Sequence, residues 1–274
     1  MDNVMKYKIN EVAKLLNISD EAIRYYESKG IIDPERSETS GYRLYSGWEI
    51  HMLIRARSYR KLGFTLSETA KLLNTYKSED ILTKLSDQED DIKRQLVWYE
   101  NLLELIQNEK QLLANSHNLI GKYHLGYRPD IYRLDMQNRL ELHANKNLKQ
   151  TIRHWTNQTP FVFTSTLLEK SKLTTDYSEY SDYSCGLSVL KKYAELLGIE
   201  ESKHVKYFPA CACVYTVVQT SVDSPFRPSL LKPAIEFMKS NELNIVGDAL
   251  SKSIVMQRKN DKYVNMHFVW IPYQ

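Results

Sequence analysis

The sequence predicts an α+β chain in three successive parts. These are a winged helix-turn-helix (helices plus one hairpin), a long coiled-coil helix, and a duplicated β-α-β-β domain with an antiparallel sheet. Three observations predict it. Two short amphipathic segments joined by a tight turn precede a Ser/Thr/Gly-containing hairpin within residues 8–62. The stretch 80–116 holds neither Gly nor Pro and carries apolar residues in alternating three-four spacing. Beyond residue 118 the sequence echoes itself at a fixed offset. The expected parts are residues 1–76, 77–117 and 118–274.

The whole chain sets outer bounds. Its 274 residues suffice for one to three domains, and 42% hydrophobic with 26% charged residues is the composition of a soluble protein. No run of 18 apolar residues occurs, so no membrane span is expected, and Met1-Asp-Asn-Val-Met-Lys has no apolar signal core. Three cysteines, Cys185, Cys211 and Cys213, are an odd number that fits a reducing cytoplasm. A net charge of +3 permits nucleic-acid binding without demanding it. Tyrosine is abundant, 19 against 7 Phe and 4 Trp, and supplies an apolar face with a polar tip.

The first part begins with Ile9, Val12, Ala13, Leu15 and Leu16 at helical spacing, with Asn10 the expected N-cap. Asn17-Ile-Ser is a turn, and Ser19 or Asp20 caps a second helix that runs to about Ser28 and stops at Gly30. A second helix in this arrangement is placed to enter a major groove. Ser19, Arg24, Tyr25 and Lys29 would then face DNA, the guanidinium taking guanine edges or phosphate and the hydroxyls and lysine taking phosphate. The alternative is that one of Tyr25 and Tyr26 packs the core, since neighbours on a helix lie about 100° apart. Ile31 to Ser46 reads as a hairpin, a wing whose phosphate contacts would be Arg36, Tyr42 and Arg43. A helix over 48–62 carries Lys61, a further candidate DNA contact, Gly63 ends it, and a shorter helix over 66–76 is expected to be capped by Ser67.

Arg24-Tyr-Tyr-Glu, Gly30-Ile-Ile, Pro34, Arg36, Gly41-Tyr-Arg-Leu-Tyr and Lys61-Leu-Gly-Phe-Thr-Leu-Ser-Glu occur in this order. Together they resemble the N-terminal domain of the MerR transcription regulators. The resemblance implies a dimer that binds pseudo-palindromic double-stranded promoter DNA through the second helix and the wing, with RNA polymerase as a partner at that promoter. Ala22 departs from it, where many members carry a hydroxyl.

Leu85, Ile92, Leu96, Tyr99, Leu103, Ile106 and Leu113 form the seam of the connecting helix, with Glu89 and Lys110 interrupting it. A rod of some 50 Å cannot bury that stripe on a small domain, so a two-fold partner or the chain's own C-terminal part must cover it. The resemblance implies the former, a homodimer with an antiparallel helix pair. It also implies that metal sensors carry cysteines at and just after this helix. This chain has none before Cys185, so neither a metal site nor any cofactor is expected.

In the last part Leu148-Lys-Gln-Thr-Ile-Arg-His-Trp and Phe161-Val-Phe-Thr-Ser-Thr-Leu are echoed 83 residues on by Leu231-Lys-Pro-Ala-Ile-Glu-Phe-Met and Asn244-Ile-Val-Gly-Asp-Ala-Leu. Each copy reads strand, helix, strand, strand, the outer strands near 130–135, 183–190, 210–218 and 263–271. The helices should share one face of the sheet and leave the other concave for a ligand. With Val269-Trp-Ile-Pro at its end, the pattern is similar to the GyrI-like effector domains of some MerR regulators, whose concave face is aromatic and binds bulky, often cationic compounds. Candidate lining residues are Asn147, Phe163, Tyr183, Phe226, Phe268 and Trp270; ordinary core residues are the alternative. The relatives' buried carboxylate aligns with Ser251, so a hydrophobic or aromatic effector that is neutral or anionic is expected unless Asp248, Glu169 or Asp182 reaches in. Cys211 and Cys213 share a strand face, His204 is the one further ligand type nearby, and His51 and His154 stand singly on helices.

These expectations combine into a ligand-responsive, cytoplasmic, DNA-binding transcription regulator without enzymatic activity. The alternatives are a GyrI-like small-molecule hydrolase, for which no nucleophile-base motif is visible, and a ligand-independent DNA-binding protein.

Overall fold

In the computed structural model the described residues are 5–138, 141–142, 146–174, 183–224, 226–259 and 261–274. The chain divides into two compact units, Met1–Trp98 and Tyr99–Gln274.

The first unit opens with α1 (Ile9–Leu16) and α2 (Asp20–Ser28), joined by Asn17 in the left-handed conformation at φ 51°. The cap of α1 is Lys8 rather than Asn10: the Glu11 carboxylate accepts the Lys8 backbone N–H at 2.7 Å. Ser19 caps α2, its Oγ accepting the Ala22 N–H. Strands β1 (Glu35–Arg36) and β2 (Arg43–Leu44) pair as the expected hairpin. Then come α3 (Gly47–Lys61), boxed by Ser46 and Glu49, and α4 (Leu66–Asn74). Thr65, not Ser67, caps α4, because its hydroxyl accepts the Glu68 N–H while Glu68 reaches back to the Thr65 N–H. One apolar stripe from each of α1, α2 and α3 meets the hairpin in a core of Val12, Ile23, Ile31, Ile32, Tyr45 and Leu53. A second cluster of Tyr59, Phe64 and Leu72 packs against Tyr76, Ile81 and Leu85.

Helix α5 (Ser78–Leu119) is 42 residues long, and the division between the units falls within it. The seam residues Ile92 and Leu96 in the first unit, and Tyr99, Leu103, Ile106 and Leu113 in the second, are all exposed. Among the described residues no helix is long and apolar enough to cross a membrane.

The second unit continues with β3 (His124–Arg128), β4 (Ile131–Asn138), β5 (Glu141–Leu142), α6 (Lys146–Thr156), β6 (Val162–Leu168), α7 (Lys170–Thr174), β7 (Ser184–Leu190), α8 (Lys191–Leu196), β8 (Val205–Phe208) and β9 (Cys211–Ser221). A 3-10 turn (Pro228–Leu231), α9 (Lys232–Ser240), β10 (Ala249–Lys259) and β11 (Lys262–Pro272) complete it. Just past the expected boundary between residues 117 and 118, residues 124–128 form strand β3, which pairs with β9. Strand order is β3-β9-β11-β10-β6-β7-β4-β5, with β8 also on β4, and every named pairing is antiparallel. The duplication is thus visible as mirrored halves, β9-β11-β10 and β6-β7-β4, that meet where Ala249 pairs with Leu168 and Leu250 with Leu167. Equivalent helix positions are buried in both copies, Leu148 with Leu231 and Trp155 with Met238.

Helix α9 packs Ala234, Ile235 and Met238 on Leu168, Val214, Ala249, Val269 and Ile271, which defines one sheet face. The opposite face carries Ile131, Leu167, Cys213, Leu250 and Trp270. That face is not left bare, which corrects the expectation of an open concave surface there. The last turns of α5 lie against it, with Leu105 and Ser116 buried, Glu104 pairing with Lys192 at 2.5 Å and Glu109 pairing with Lys252.

On this face Arg133 is buried and fully used, bonding Ser165 Oγ, the Ser184 carbonyl and Asp135. Gly186 makes room for it: a Cβ there would stand 2.3 Å from the Leu134 carbonyl oxygen and 3.1 Å from the Arg133 guanidinium. Gly186→Ala is therefore expected to lower stability by about 1–3 kcal/mol. Denaturant unfolding checks this; an unchanged midpoint would show that β7 shifts without cost.

Candidate nucleic-acid interface and ligand cavity

In the first unit Arg24, Tyr42 and Arg43 converge with Lys8 and Asn10 around a groove of 380 Å³. Arg24, Tyr25, Lys29, Arg36, Tyr42 and Lys61 are exposed. Tyr26 packs against the core while Tyr25 faces solvent, with the Lys29 ammonium 5.4 Å from its ring centre. Arg43 is different. Its Nε donates to both carboxylate oxygens of Glu27 at 2.9 and 2.8 Å, and this pairing raises the guanidinium pKa further. The pair ties the wing strand β2 to helix α2, so Arg43 positions the wing as well as lending it charge. Beneath it Tyr45 is completely buried, which raises its hydroxyl pKa. Glu27 and Lys8 were not among the sequence candidates; Glu27 was legible as the last residue of Arg24-Tyr-Tyr-Glu, but its partner was not.

In the second unit a cavity of 230 Å³ opens on the helix-bearing face. Helix α9 covers the strand ends at Val214, Ala249, Val269 and Ile271. It leaves uncovered the other ends, where Thr220, Met256, Tyr263, Asn265 and His267 form the wall with Thr166, Tyr183, Cys185 and Phe226. Tyr183 and Phe226 meet edge to face at 6.1 Å, and Phe226 meets the His267 ring at 5.0 Å. His267 Nε2 lies 3.0 Å from Thr220 Oγ1, and Nδ1 lies 3.5 Å from Ser251 Oγ. Ser251 is buried below that ring, where it accepts the Thr166 N–H at 3.1 Å across the join of the two copies.

None of the described lining residues carries a formal charge at neutral pH. Burial lowers the His267 pKa to about 4, which keeps the ring neutral, and burial raises that of the Cys185 thiol. No carboxylate is among the described lining residues. Asp248 instead accepts the Lys170 N–H at 2.9 Å and Glu169 is exposed. Asp182 lies outside the described residues, and so does the side chain of Asn147, in the first turn of α6.

The helix-turn-helix regulatory model of the MerR type matches residues 7–76. The mercuric resistance operon regulatory protein of Bacillus cereus is 34% identical over 123 residues, which cover 91% of that protein and 42% of this chain. The chain belongs to the MerR family. The regulator CueR of Escherichia coli O157:H7 is 30% identical over 113 residues, covering 81% of its length and 39% of this chain. Among solved structures, EcmrR bound to DNA aligns over 98% of this chain and 99% of its own, at 16% identity and a TM-score of 0.37. A hydrolase from Listeria innocua aligns over 61% of this chain and 97% of its own, at 10% identity and a TM-score of 0.39.

Within this MerR-family chain the expected ligand-binding set divides. Tyr183 and Phe226 line the helix-face cavity and Ser251 lies under it. Phe163, Phe268 and Trp270 lie on the opposite face, with the Lys252 ammonium 4.9 Å from the Phe163 ring centre. His267, Thr220 and Met256 were missed. Cys213 is wholly buried and its thiol is pushed up to about 12, Cys211 is half-buried, and among the described residues no group of three His, Cys, Asp or Glu is placed to hold a metal.

Two outcomes follow from this geometry. Glu27→Gln removes a negative charge from the helix that carries Arg24, which by charge alone would strengthen DNA binding. Loss of the wing clamp should instead weaken promoter affinity about tenfold, on the order of 1.4 kcal/mol, in fluorescence anisotropy. Equal or tighter binding would remove the clamp's role. For His267 the folded pKa of about 4 lies below the ordinary 6.5, so the unfolded chain takes up the proton first as pH falls. Stability fully present above pH 6.5 should drain away toward pH 4, by about 3 kcal/mol at most. His267→Gln should flatten that segment of the stability–pH curve, and an unaltered slope would assign it to other groups.

Proposed function

We propose that this MerR-family DNA-binding transcription regulator is switched by a small, uncharged, aromatic or hydrophobic molecule held in the helix-face cavity. It acts as a homodimer paired through α5 on promoter DNA, in the cytoplasm, with RNA polymerase as its partner there. The observation that carries the reading is a cavity whose described wall, with Tyr183, Phe226, Met256 and neutral His267, bears no charge, in the same chain as a basic winged reader. An apolar cavity with a few hydrogen-bonding groups suits a ligand of modest size. The described wall offers a cation no counter-charge, and desolvating an unpaired charge is costly.

The exposed α5 seam supports the dimer, since a second copy would bury Ile92, Leu96, Leu103 and Ile106 at once. Two readers held at fixed spacing can favour one distorted state of the promoter. A ligand shifts that balance only by binding the two protein states unequally. The hydrolase reading lacks a carboxylate beside a nucleophile in the described cavity wall.

The test is a titration of the full-length protein with a lipophilic cation and its neutral isostere, read by tryptophan fluorescence and by in vitro transcription from its bound promoter. The neutral compound should bind at least tenfold tighter, and Phe226→Ala should weaken it while leaving DNA affinity intact. Cation-selective binding, or binding without any transcriptional response, would overturn the reading. Ile106→Asp should yield monomers in sedimentation and abolish promoter binding.

A further inference from the structure

We propose a second ligand site, on the sheet face opposite the effector cavity, for a planar heteroaromatic anion of the nucleotide or flavin phosphate kind. A groove of 540 Å³ lies there between the last turns of α5 and strands β3, β9 and β11. That volume is in the range of small-molecule sites, about 300–1,000 Å³.

Its floor is an aromatic array drawn from three adjacent strands. His124 stacks on Tyr215 at 5.4 Å and 24° between planes, and Tyr215 stacks on Phe268 at 5.2 Å and 22°. Trp270 stands edge-on to Phe268 at 5.1 Å, which holds that ring flat. Gly126 shapes the floor as well, since a Cβ there would press to 2.8 Å of the Tyr215 ring. The rings cover one another's faces, so a heterocycle would join the row at its open end, on the exposed His124 of the edge strand β3.

The wall facing this floor is a comb of amides. Asn108, Gln111, Asn115 and Asn118 recur at intervals of three and four along α5, and all four are exposed to the groove. Each carries a donor and an acceptor, the pairing that recognises the N–H and C=O edge of a purine or flavin. Lys122 supplies a cation at the end of the comb, and no carboxylate is among the described residues that line the groove. An aromatic floor, an amide wall and one cation match the face, edge and phosphate of a single molecule. The cavity of Tyr183 and His267 has neither the comb nor a lysine, so this site does not depend on the effector reading. A molecule seated here would touch α5 and the sheet together.

The full-length protein would be titrated with flavin mononucleotide, riboflavin and guanosine monophosphate by calorimetry. At least one of the two phosphorylated probes should bind saturably. Tyr215→Leu and the surface variant Asn115→Leu should each raise its Kd tenfold or more, and Lys122→Gln should weaken flavin mononucleotide but not riboflavin. Phe226→Leu, in the other cavity, should leave these constants unchanged. Absence of saturable binding by both phosphorylated probes, or constants indifferent to Tyr215→Leu, would overturn the site. So would equal weakening by Phe226→Leu, which would move the probe to the effector cavity. An Asn115→Cys thiol shielded from a maleimide dye in the native dimer would show a second copy sealing the groove, and would also overturn it.

Discussion

The second unit depends on a short seam. Its two β-α-β-β copies meet through β6 and β10, where two register pairs and the Thr166 N–H donated to Ser251 Oγ make one sheet of two halves. A three-stranded half with one helix is marginal by itself, whereas the joined sheet buries Leu167, Leu168, Ala249 and Leu250 from both sides of the join. Ser251 closes the seam by accepting the Thr166 N–H, and its hydroxyl lies 3.5 Å from His267 Nδ1 above it. A carboxylate in its place would be a buried charge, and no cation is among the described residues that line the cavity. The same hydroxyl therefore joins the two halves of the sheet and lies under the cavity without adding a charge.

The first unit relies on side chains that do structural and recognition work together. Arg57 donates to the Leu16 carbonyl at 2.5 Å, which satisfies the end of α1 and ties it to α3. Glu27 holds Arg43 as already described, so the wing is anchored to the very helix whose exposed face carries Arg24 and Tyr25. Tyr25 and Tyr26 show the division within one dipeptide: a turn of about 100° sends one ring to solvent and the other to Ile23 and Leu53. Charge counting alone would treat Arg43 as a free phosphate contact. The Glu27 carboxylate, which takes its Nε–H with both oxygens, holds the guanidinium in place.

Much of this was legible because periodicity survives context. The hydrophobic spacing located α1, α2, α3 and α9 to within a residue or two, and the repeat located the mirrored halves of the sheet. Caps were less legible: Asn10 and Ser67 are good cap residues by type, but Lys8 and Thr65 hold the position because Glu11 and Glu68 sit three residues after them. Sheet faces were least legible. Strand alternation puts Phe268 and His267 on opposite sides, and which side meets α9 depends on register across several strands. The irregularities between Ser253 and Val255 and between Asp135 and Gln137 alter that register, and no local pattern marks them. Strands β3 and β8 were missed for a related reason, since five or four residues give too few alternations to read.

Helix α5 shows why the chain spends 42 residues on a connector. In the second unit one side of it is occupied: Leu105 and Ser116 are buried, and Glu104 and Glu109 pair with Lys192 and Lys252 of the sheet unit. Another side keeps Leu103, Ile106 and Leu113 exposed. A helix with one side fixed to the sheet cannot change its seam without straining the salt bridges and packing on the first side. Packed elements of this kind shift between discrete arrangements rather than bending smoothly. A molecule that alters how the sheet seats α5 must therefore alter what α5 presents at its seam. That constraint needs no contact between the ligand and the DNA reader.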